Sequence, residues 1–100
     1  MKITEMYMDE TIRAIGYLTR DNYNSLITVK KIRDFYEIDP LDYSKISFYW
    51  RSLQSLEEDG VLKRTSSKKP KQYRVLNYFK FFELLHDAYV SRALRAKGLG

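Results

Sequence analysis

A repeat of apolar residues every three or four positions runs through the middle of the chain, between Asp42 and Asp59. The repeat consists of Ile46, Tyr49, Trp50, Leu53 and Leu56. This spacing places apolar side chains on one face of an α-helix. Gly60 follows at once, and glycine is common just past the end of a helix. The pattern therefore predicts a helix over 42–59.

Two short runs rich in β-branched and aromatic residues come next, over 61–65 and 72–76. Such runs are typical of strands, and the polar, lysine-rich segment between them suits a turn. Leu62 and Val75 are predicted to face the core. The segment 27–29 also has β character, and we expect it to pair with this hairpin. The pattern thus predicts a helix, a glycine and then a β-hairpin.

Two shorter helices are predicted before the central one. The first begins at Asp9, a residue type that suits an N-cap, and residues 1–8 form either a frayed arm or an early helical turn. Gly16 lies beside the apolar face of this helix, which allows close approach of another helix. The second helix covers 29–36, with Thr28 as its N-cap.

The last predicted helix, over 78–97 after Asn77, carries apolar side chains around more than half of its circumference. A surface helix of a small monomer needs an apolar stripe of only ~100°. We therefore expect a second copy of the chain to cover it in a two-fold homodimer. The alternative is a monomer in which the first helix covers it. The residues expected at the dimer contact are Phe81, Phe82, Leu85, Tyr89 and Ala93.

Positive charge is concentrated in the predicted hairpin. The 100 residues have a net charge of +5, with 18 basic and 13 acidic side chains. Between Val61 and Leu76 there are six basic residues and no acidic one. Such an element is typical of proteins that bind polyanions, and the alternative is a solvated turn that protects an edge strand. The residues expected to face phosphate or the minor groove are Arg64, Lys68, Lys69, Lys71 and Arg74.

The outward face of the central helix is the second indication of nucleic-acid binding. With Ile46 at the centre of the buried stripe, the opposite side carries Ser44, Ser47, Phe48, Arg51 and Ser55. Small residues let a helix enter the major groove, arginine can read guanine, and an apolar ring can contact a thymine methyl group. The alternative for Phe48 is packing under the N-terminal arm or a partner subunit. Backbone N–H groups converge at the start of the helix, and the phosphate ligands expected there are Tyr43, Ser44 and Lys45.

Several other classes of protein are excluded by the residues present. The chain has no cysteine, so disulfide and thiol chemistry are absent. It has no apolar run near the ~20 residues of a membrane span and no signal-peptide pattern. His86 is the one histidine of the chain, and no acidic residue lies at a spacing suited to a shared metal site. The sequence also has no phosphate-binding glycine loop and no nucleophile–base set. We expect a single-domain cytoplasmic protein without enzymatic activity, metal or cofactor.

The exit of the central helix resembles that of a known superfamily. The run over 53–64 reads LQSLEEDGVLKR and is similar to the leucine, acid, acid, glycine, apolar, basic pattern of winged helix-turn-helix regulators. The likeness covers 12–76, and the terminal helix resembles the dimerising helix of the PadR-like branch. It implies a mainly α fold with a small β-hairpin, in which 1–76 bind DNA and 77–100 dimerise. The implied groove-facing residues are Ser44, Ser47, Phe48 and Arg51, and the implied wing-tip residues are Lys68, Lys69 and Lys71.

The resemblance implies a homodimer that binds double-stranded DNA at a palindromic or near-palindromic site and regulates transcription. The tyrosine-rich, cysteine-free composition is also similar to that of archaeal plasmid and virus winged-helix proteins. These include a plasmid-partition adaptor that binds a centromere-like site, spreads along DNA and works with other segregation proteins. Winged helices also serve as protein-interaction modules, which is a third function left open.

Overall fold

The computed structural model describes residues 3–66 and 71–96 of the chain, with side chains over 7–65 and 71–94. Within these ranges it contains four helices and two strands. In chain order they are α1 (Ile3–Leu18), α2 (Val29–Phe35), α3 (Tyr43–Glu58), β1 (Leu62–Ser66), β2 (Gln72–Val75) and α4 (Tyr78–Ala96). The prediction of a mainly helical domain with a small β-hairpin is confirmed at this level.

Side chains that accept backbone hydrogen bonds mark where three of the helices begin. Each of these bonds satisfies one of the free N–H groups of a first helical turn, worth ~1 kcal/mol. The bonds run from Lys31 N to Thr28 (3.2 Å), from Lys45 N to Asp42 (3.2 Å) and from Lys80 N to Asn77 (3.1 Å). At the other end of α3, Gly60 has a φ of 76°, a left-handed conformation that disfavours side chains. The predicted limits of these helices are therefore confirmed to within a residue or two.

The chain is helical before Asp9, which is one of the two possibilities that the sequence left open for residues 1–8, and the predicted N-cap is wrong. α1 starts at Ile3, so Asp9 lies inside the helix and is not its N-cap. The prediction relied on the chemistry of the cap. In the folded chain, Tyr7 and Met8 pack against the core, and this burial favours helix upstream of Asp9.

The core lies among α1, α2 and α3, with the hairpin packed on α3 through β1 and with α4 packed along α1. The largest buried side chains include Ile15, Ile32, Tyr49, Leu53 and Phe81. Burying each large apolar side chain contributes about 1.5–3 kcal/mol. These contacts join α3 and the hairpin into one body.

Gly16 is the point where α4 comes closest to α1. A Cβ added to Gly16 would lie 2.8 Å from Leu85 Cδ1. A methyl group in that position would overlap the leucine, so the absence of a side chain allows the two helices to pack this closely. The predicted close helix contact at Gly16 is confirmed.

The hairpin is antiparallel and is extended by one residue of an earlier segment. Leu62 pairs with Val75, and both side chains are buried as predicted. Ile27 forms an isolated bridge to Tyr73, with Ile27 N donating to Tyr73 O at 2.8 Å and Tyr73 N donating to Ile27 O at 2.9 Å. The predicted pairing of 27–29 with the hairpin therefore occurs, at Ile27. None of the helices in the described ranges has both the length and the apolar character needed to cross a membrane.

Candidate nucleic-acid interface

The inward side of α3 determines which of its residues are left for a partner. Tyr49, Ser52, Leu53 and Leu56 are buried, at helical spacing. Ile46 is only partly buried, so the centre of the stripe is rotated from the position predicted. The residues that the opposite side presents are Tyr43, Ser44, Ser47, Arg51 and Gln54; Ser47 is half-buried and the others are exposed.

Gln54 is a residue that the sequence prediction missed. Its exposure follows from taking Tyr49, Leu53 and Leu56 as the buried stripe, because Gln54 then lies across the helix from them. It lies three positions after Arg51, so the two side chains are neighbours on one helical face. Of the other predicted residues, Ser55 is half-buried at the margin of this face, and Lys45 is half-buried one turn before Tyr49 on the inward side.

Phe48 packs on the N-terminal helix, which is the alternative that the sequence left open. Its ring stacks on Tyr7 with centroids 4.5 Å apart and an interplanar angle of 9°. The Arg51 guanidinium carbon lies 5.7 Å from the centre of the Phe48 ring. Phe48 is half-buried and therefore supports Arg51 rather than projecting freely into solvent.

Buried tyrosine hydroxyls fix α3 and α2 to α1 behind this face. The Tyr49 hydroxyl donates to Glu10 Oε2 at 3.2 Å, and the Tyr36 hydroxyl donates to the Glu10 carbonyl oxygen at 2.6 Å. Burial, reinforced by the nearby Glu10 carboxylate, raises the pKa of Tyr49 far above its ordinary value. The phenol therefore stays neutral and acts as a hydrogen-bond donor, which holds α3 in one orientation.

The hairpin is attached to the other margin of α3. Lys71 Nζ lies 5.9 Å from the centre of the Trp50 ring, and Arg64 Nε lies 3.5 Å from Glu57 Oε2. An open cavity of about 330 Å³ lies between the two elements, and Gln54 contributes to its wall. Lys71 is thus next to the exposed face of α3. Arg64, which was expected to face phosphate, instead pairs with Glu57.

The remaining basic residues of the hairpin are divided between its two faces. Lys63 lies opposite Arg74, and both are exposed. Side chains alternate along a strand, so this pair lies on the face away from Tyr73 and Arg64. The structure therefore does not bring Arg74 together with Arg51. The predicted tip residues Lys68 and Lys69 lie outside the described residues.

Tyr73 belongs to the core rather than to the exposed side of the hairpin. Its side chain is 2% exposed, and burial raises the pKa of its phenol. The sequence had left a role in the core or as a phosphate ligand open for this residue, and the structure places it in the core.

The outward side of α4 is apolar, although two of the five predicted contact residues are turned inward. Phe81 is 2% exposed in the core of its own chain, and Leu85 is half-buried against Gly16. Neither offers its full side chain to a second copy. Exposed residues instead follow a spacing of three and four, the spacing of a coiled-coil seam. This seam consists of Phe79, Phe82, His86, Tyr89 and Ala93.

Phe79 and His86 are the seam residues that the prediction missed. Phe79 is 87% exposed, the highest value among the large apolar side chains described. A search for heptads starting at Phe79 would have found both residues, because they occupy the first position of two successive heptads. Val90 and Leu94 lie beside the seam and are also exposed.

No arrangement typical of a metal site occurs in the described part of the chain. His86 Nδ1 lies 3.7 Å from Asp87 Oδ1, with both side chains largely exposed. No group of three or more potential ligands occurs among the described residues.

No family model, curated protein or solved structure matches the chain. The interpretation of this surface therefore depends on its own geometry.

Proposed function

We propose that this chain is a winged helix-turn-helix protein that binds double-stranded DNA as a homodimer and regulates transcription at a specific site. In this proposal α2 and α3 form the helix-turn-helix, and β1 and β2 form the wing. The observation that supports it most directly is the exposed face of α3, which carries Arg51 and Gln54 and has Lys71 of the hairpin at its side.

Arg51 and Gln54 are the proposed base-reading residues. Arginine donates two hydrogen bonds to the major-groove edge of guanine, and glutamine can pair in a similar way with adenine. Ser44 and Ser47 are small, so they allow the backbone of α3 to come close to the bases. Tyr43 is 71% exposed at the start of the helix, where a phosphate can also accept from backbone N–H groups.

The hairpin supplies the charge that holds the phosphate backbone. Lys71 is the proposed phosphate ligand nearest to α3. Lys68 and Lys69 are proposed as further phosphate ligands from the sequence alone. The Arg64–Glu57 ion pair has a complementary effect, because it neutralises a carboxylate that would otherwise repel the DNA. Arg74 and Lys63 are like charges on opposite strands, an unfavourable pairing that a bound phosphate would relieve.

The proposed dimer forms through the seam on α4. Two copies related by a two-fold axis would bury Phe79 and Phe82 against one another. The two recognition helices would then contact half-sites about 34 Å apart, one turn of the DNA helix. Such a dimer reads a palindrome or a near-palindrome.

Selection from a random duplex library tests the proposal. The full chain should enrich one palindromic motif over successive rounds, and fluorescence anisotropy should show tighter binding of that duplex than of a scrambled one. Absence of any enriched motif would count against site-specific binding. Equal and weak binding by wild type and by Arg51→Ala would favour a protein-interaction module.

Footprinting on the selected site separates regulation from partition. A transcriptional regulator should protect a single block of ~20 base pairs at all protein concentrations, since two half-sites lie one turn apart. A protected region that lengthens as protein is added would instead indicate the DNA-coating behaviour proposed for the partition alternative.

A further inference from the structure

A second cavity, of about 400 Å³, opens between α1, α2 and α4, and its described lining contains no residue of α3 or of the hairpin. Its size falls within the range of small-molecule sites in proteins. The lining combines two arginines with four aromatic rings. These residues are Arg13, Tyr17, Phe35, Tyr36, Tyr89 and Arg92.

Arg13 brings an unused hydrogen-bond donor to this cavity. Its Nη1 atom is buried and has no hydrogen-bond partner among the described residues. A guanidinium is charged at every physiological pH, and leaving one of its donors buried and unpaired is unfavourable. Arg13 therefore keeps one donor that no described residue uses, although its guanidinium also forms a hydrogen bond with the Tyr36 phenol.

The charges around the cavity also favour an anion. Arg92 is exposed, so a second guanidinium is available from α4. Among the residues that the structure describes, no Asp or Glu lines the cavity. The nearby Glu10 carboxylate accepts from the Tyr49 hydroxyl, and the Glu10 carbonyl accepts from Tyr36.

The aromatic rings of the lining present flat apolar surfaces. Tyr17 and Phe35 lie with centroids 4.6 Å apart, and Phe35 and Tyr36 with centroids 4.8 Å apart. Tyr17, Phe35 and Tyr89 are 45%, 37% and 50% exposed, respectively. The Arg20 guanidinium carbon lies 3.7 Å from the centre of the Tyr17 ring, so Phe35 and Tyr89 are the rings more open to a planar ligand. Stacking on them contributes beyond the area that it buries.

We propose that this cavity binds a small organic anion in which a carboxylate or phosphate is attached to a planar ring. The guanidinium groups of Arg13 and Arg92 pair with the anionic group, since two oxygens of a carboxylate or phosphate fit the fork of an arginine. The ring of the ligand lies against Phe35 and Tyr89. The site is separate from the proposed DNA surface and requires no DNA.

Isothermal titration calorimetry with matched probes tests this site on the full chain. 2-Naphthoate and 2-naphthyl phosphate carry the ring with each anionic group, 2-naphthalenemethanol carries the ring without charge, and acetate and inorganic phosphate carry charge without the ring. A ligand of this size should bind saturably, one per chain, with a Kd on the order of 1 mM or lower. The tighter of the two naphthyl anions identifies the anionic group, and the three other probes should bind at least tenfold more weakly.

Substitutions identify the residue that holds the anion. Arg13→Gln should weaken binding of the naphthyl anion tenfold or more, and Arg13→Lys, which keeps the charge but loses the fork, should give an intermediate value. Arg92→Gln gives an independent test because Arg92 is exposed and its replacement leaves the packing of α1 unchanged. Arg51→Gln removes an arginine of the DNA surface and serves as the matched control, with ligand binding unchanged.

Two results would overturn the proposed site. One is the absence of saturable binding of either naphthyl anion up to about 10 mM, a range that includes the affinities expected for ligands of this size. The other is equal affinity in wild type, Arg13→Gln and Arg92→Gln, with circular dichroism showing that the variants are folded. DNA affinity measured in parallel keeps the two proposals apart, because Arg13→Gln should lose the ligand and keep DNA, and Arg51→Gln should do the reverse.

Discussion

At the scale of single residues, Arg51 combines exposure with support from its neighbours. Its guanidinium lies over the ring of Phe48, and that ring is stacked on Tyr7 of α1. A cation beside an aromatic face is attracted to it and loses part of its conformational freedom. An arginine ordered in advance gives up less entropy when it pairs with a guanine. The aromatic stack thus gives Phe48 an indirect role in the proposed DNA contact.

Replacement of Arg51 by alanine should reduce site-specific affinity. We expect Arg51→Ala to weaken the free energy of binding to the selected duplex by ~1–3 kcal/mol, because a bidentate base contact is lost. The loss on scrambled DNA should be smaller. Anisotropy titrations at one fixed salt concentration measure both values. Arg20→Ala, which removes an exposed arginine stacked on Tyr17, is the control and should change neither. Equal losses on the two duplexes would contradict a base-reading role.

At the scale of secondary-structure elements, a close helix contact places α4 on α1, and charged residues define the surface of the hairpin. α4 lies against α1 because Gly16 leaves room for Leu85. The Arg64–Glu57 pair and Lys71 near Trp50 lie where the hairpin meets α3. Exposed ion pairs contribute little to stability. The buried pair of Leu62 and Val75 therefore fixes the hairpin, and the charges set its surface potential.

A side chain at position 16 should separate α1 from α4. Gly16→Val should destabilise the fold by about 1–3 kcal/mol, since its side chain overlaps Leu85 in a packed contact. Urea denaturation of wild type, Gly16→Val, Leu85→Ala and the double variant gives the interaction energy. The valine should cost less when residue 85 is alanine. The same cost in both backgrounds would show that the contact does not limit helix packing.

Lys71 should contribute to DNA affinity without reading sequence. Lys71→Ala should weaken binding to selected and scrambled duplexes by similar factors, and it should reduce the slope of log K against log salt by about 0.9. Lys30→Ala, an exposed lysine on α2, is the matched control. Trp50 is the one tryptophan of the chain and lies beside Lys71, so its fluorescence should change when DNA binds. An unchanged salt slope would show that Lys71 does not contact a phosphate.

At the scale of the whole molecule, the DNA surface and the apolar seam belong to different elements joined by one core. α3 is fixed to α1 by buried side chains, the hairpin packs on α3, and α4 packs on α1 through Leu85. In a two-fold dimer formed by α4, the orientation of each α3 would therefore be set through α1. The cavity that contains Arg13 lies among the helices that transmit this orientation.

A charge placed in the seam should prevent the proposed dimer. Phe79→Glu should give a folded monomer, because Phe79 is exposed in the single chain and its replacement leaves the core intact. Its affinity for a palindromic duplex should fall towards that for a single half-site. Sedimentation velocity and circular dichroism measure mass and folding. Leu41→Glu, at another exposed leucine, is the control and should keep the mass of wild type. A wild-type protein that is monomeric at micromolar concentration would contradict dimerisation through the seam.

Local residue chemistry was enough to predict most of the elements. Thr28, Asp42 and Gly60 mark helix ends through hydrogen bonds and backbone conformation that involve only neighbouring residues. The hairpin followed from a short run of strand-forming residues on each side of a turn. The start of α1 did not follow, because it depends on Tyr7 and Met8 packing against distant parts of the chain.

The sequence by itself determined where α2, α3 and α4 begin, the hairpin and the basic character of its strands, since these depend on contacts within a few residues. Only the tertiary structure decided which side of each element is available to a partner. It turned Phe81 into the core, placed Phe48 on Tyr7, and left Gln54 exposed. Exposure is a property of packing between segments far apart in sequence. A helical repeat defines a face only to within a rotation, and the neighbouring helices fix that rotation.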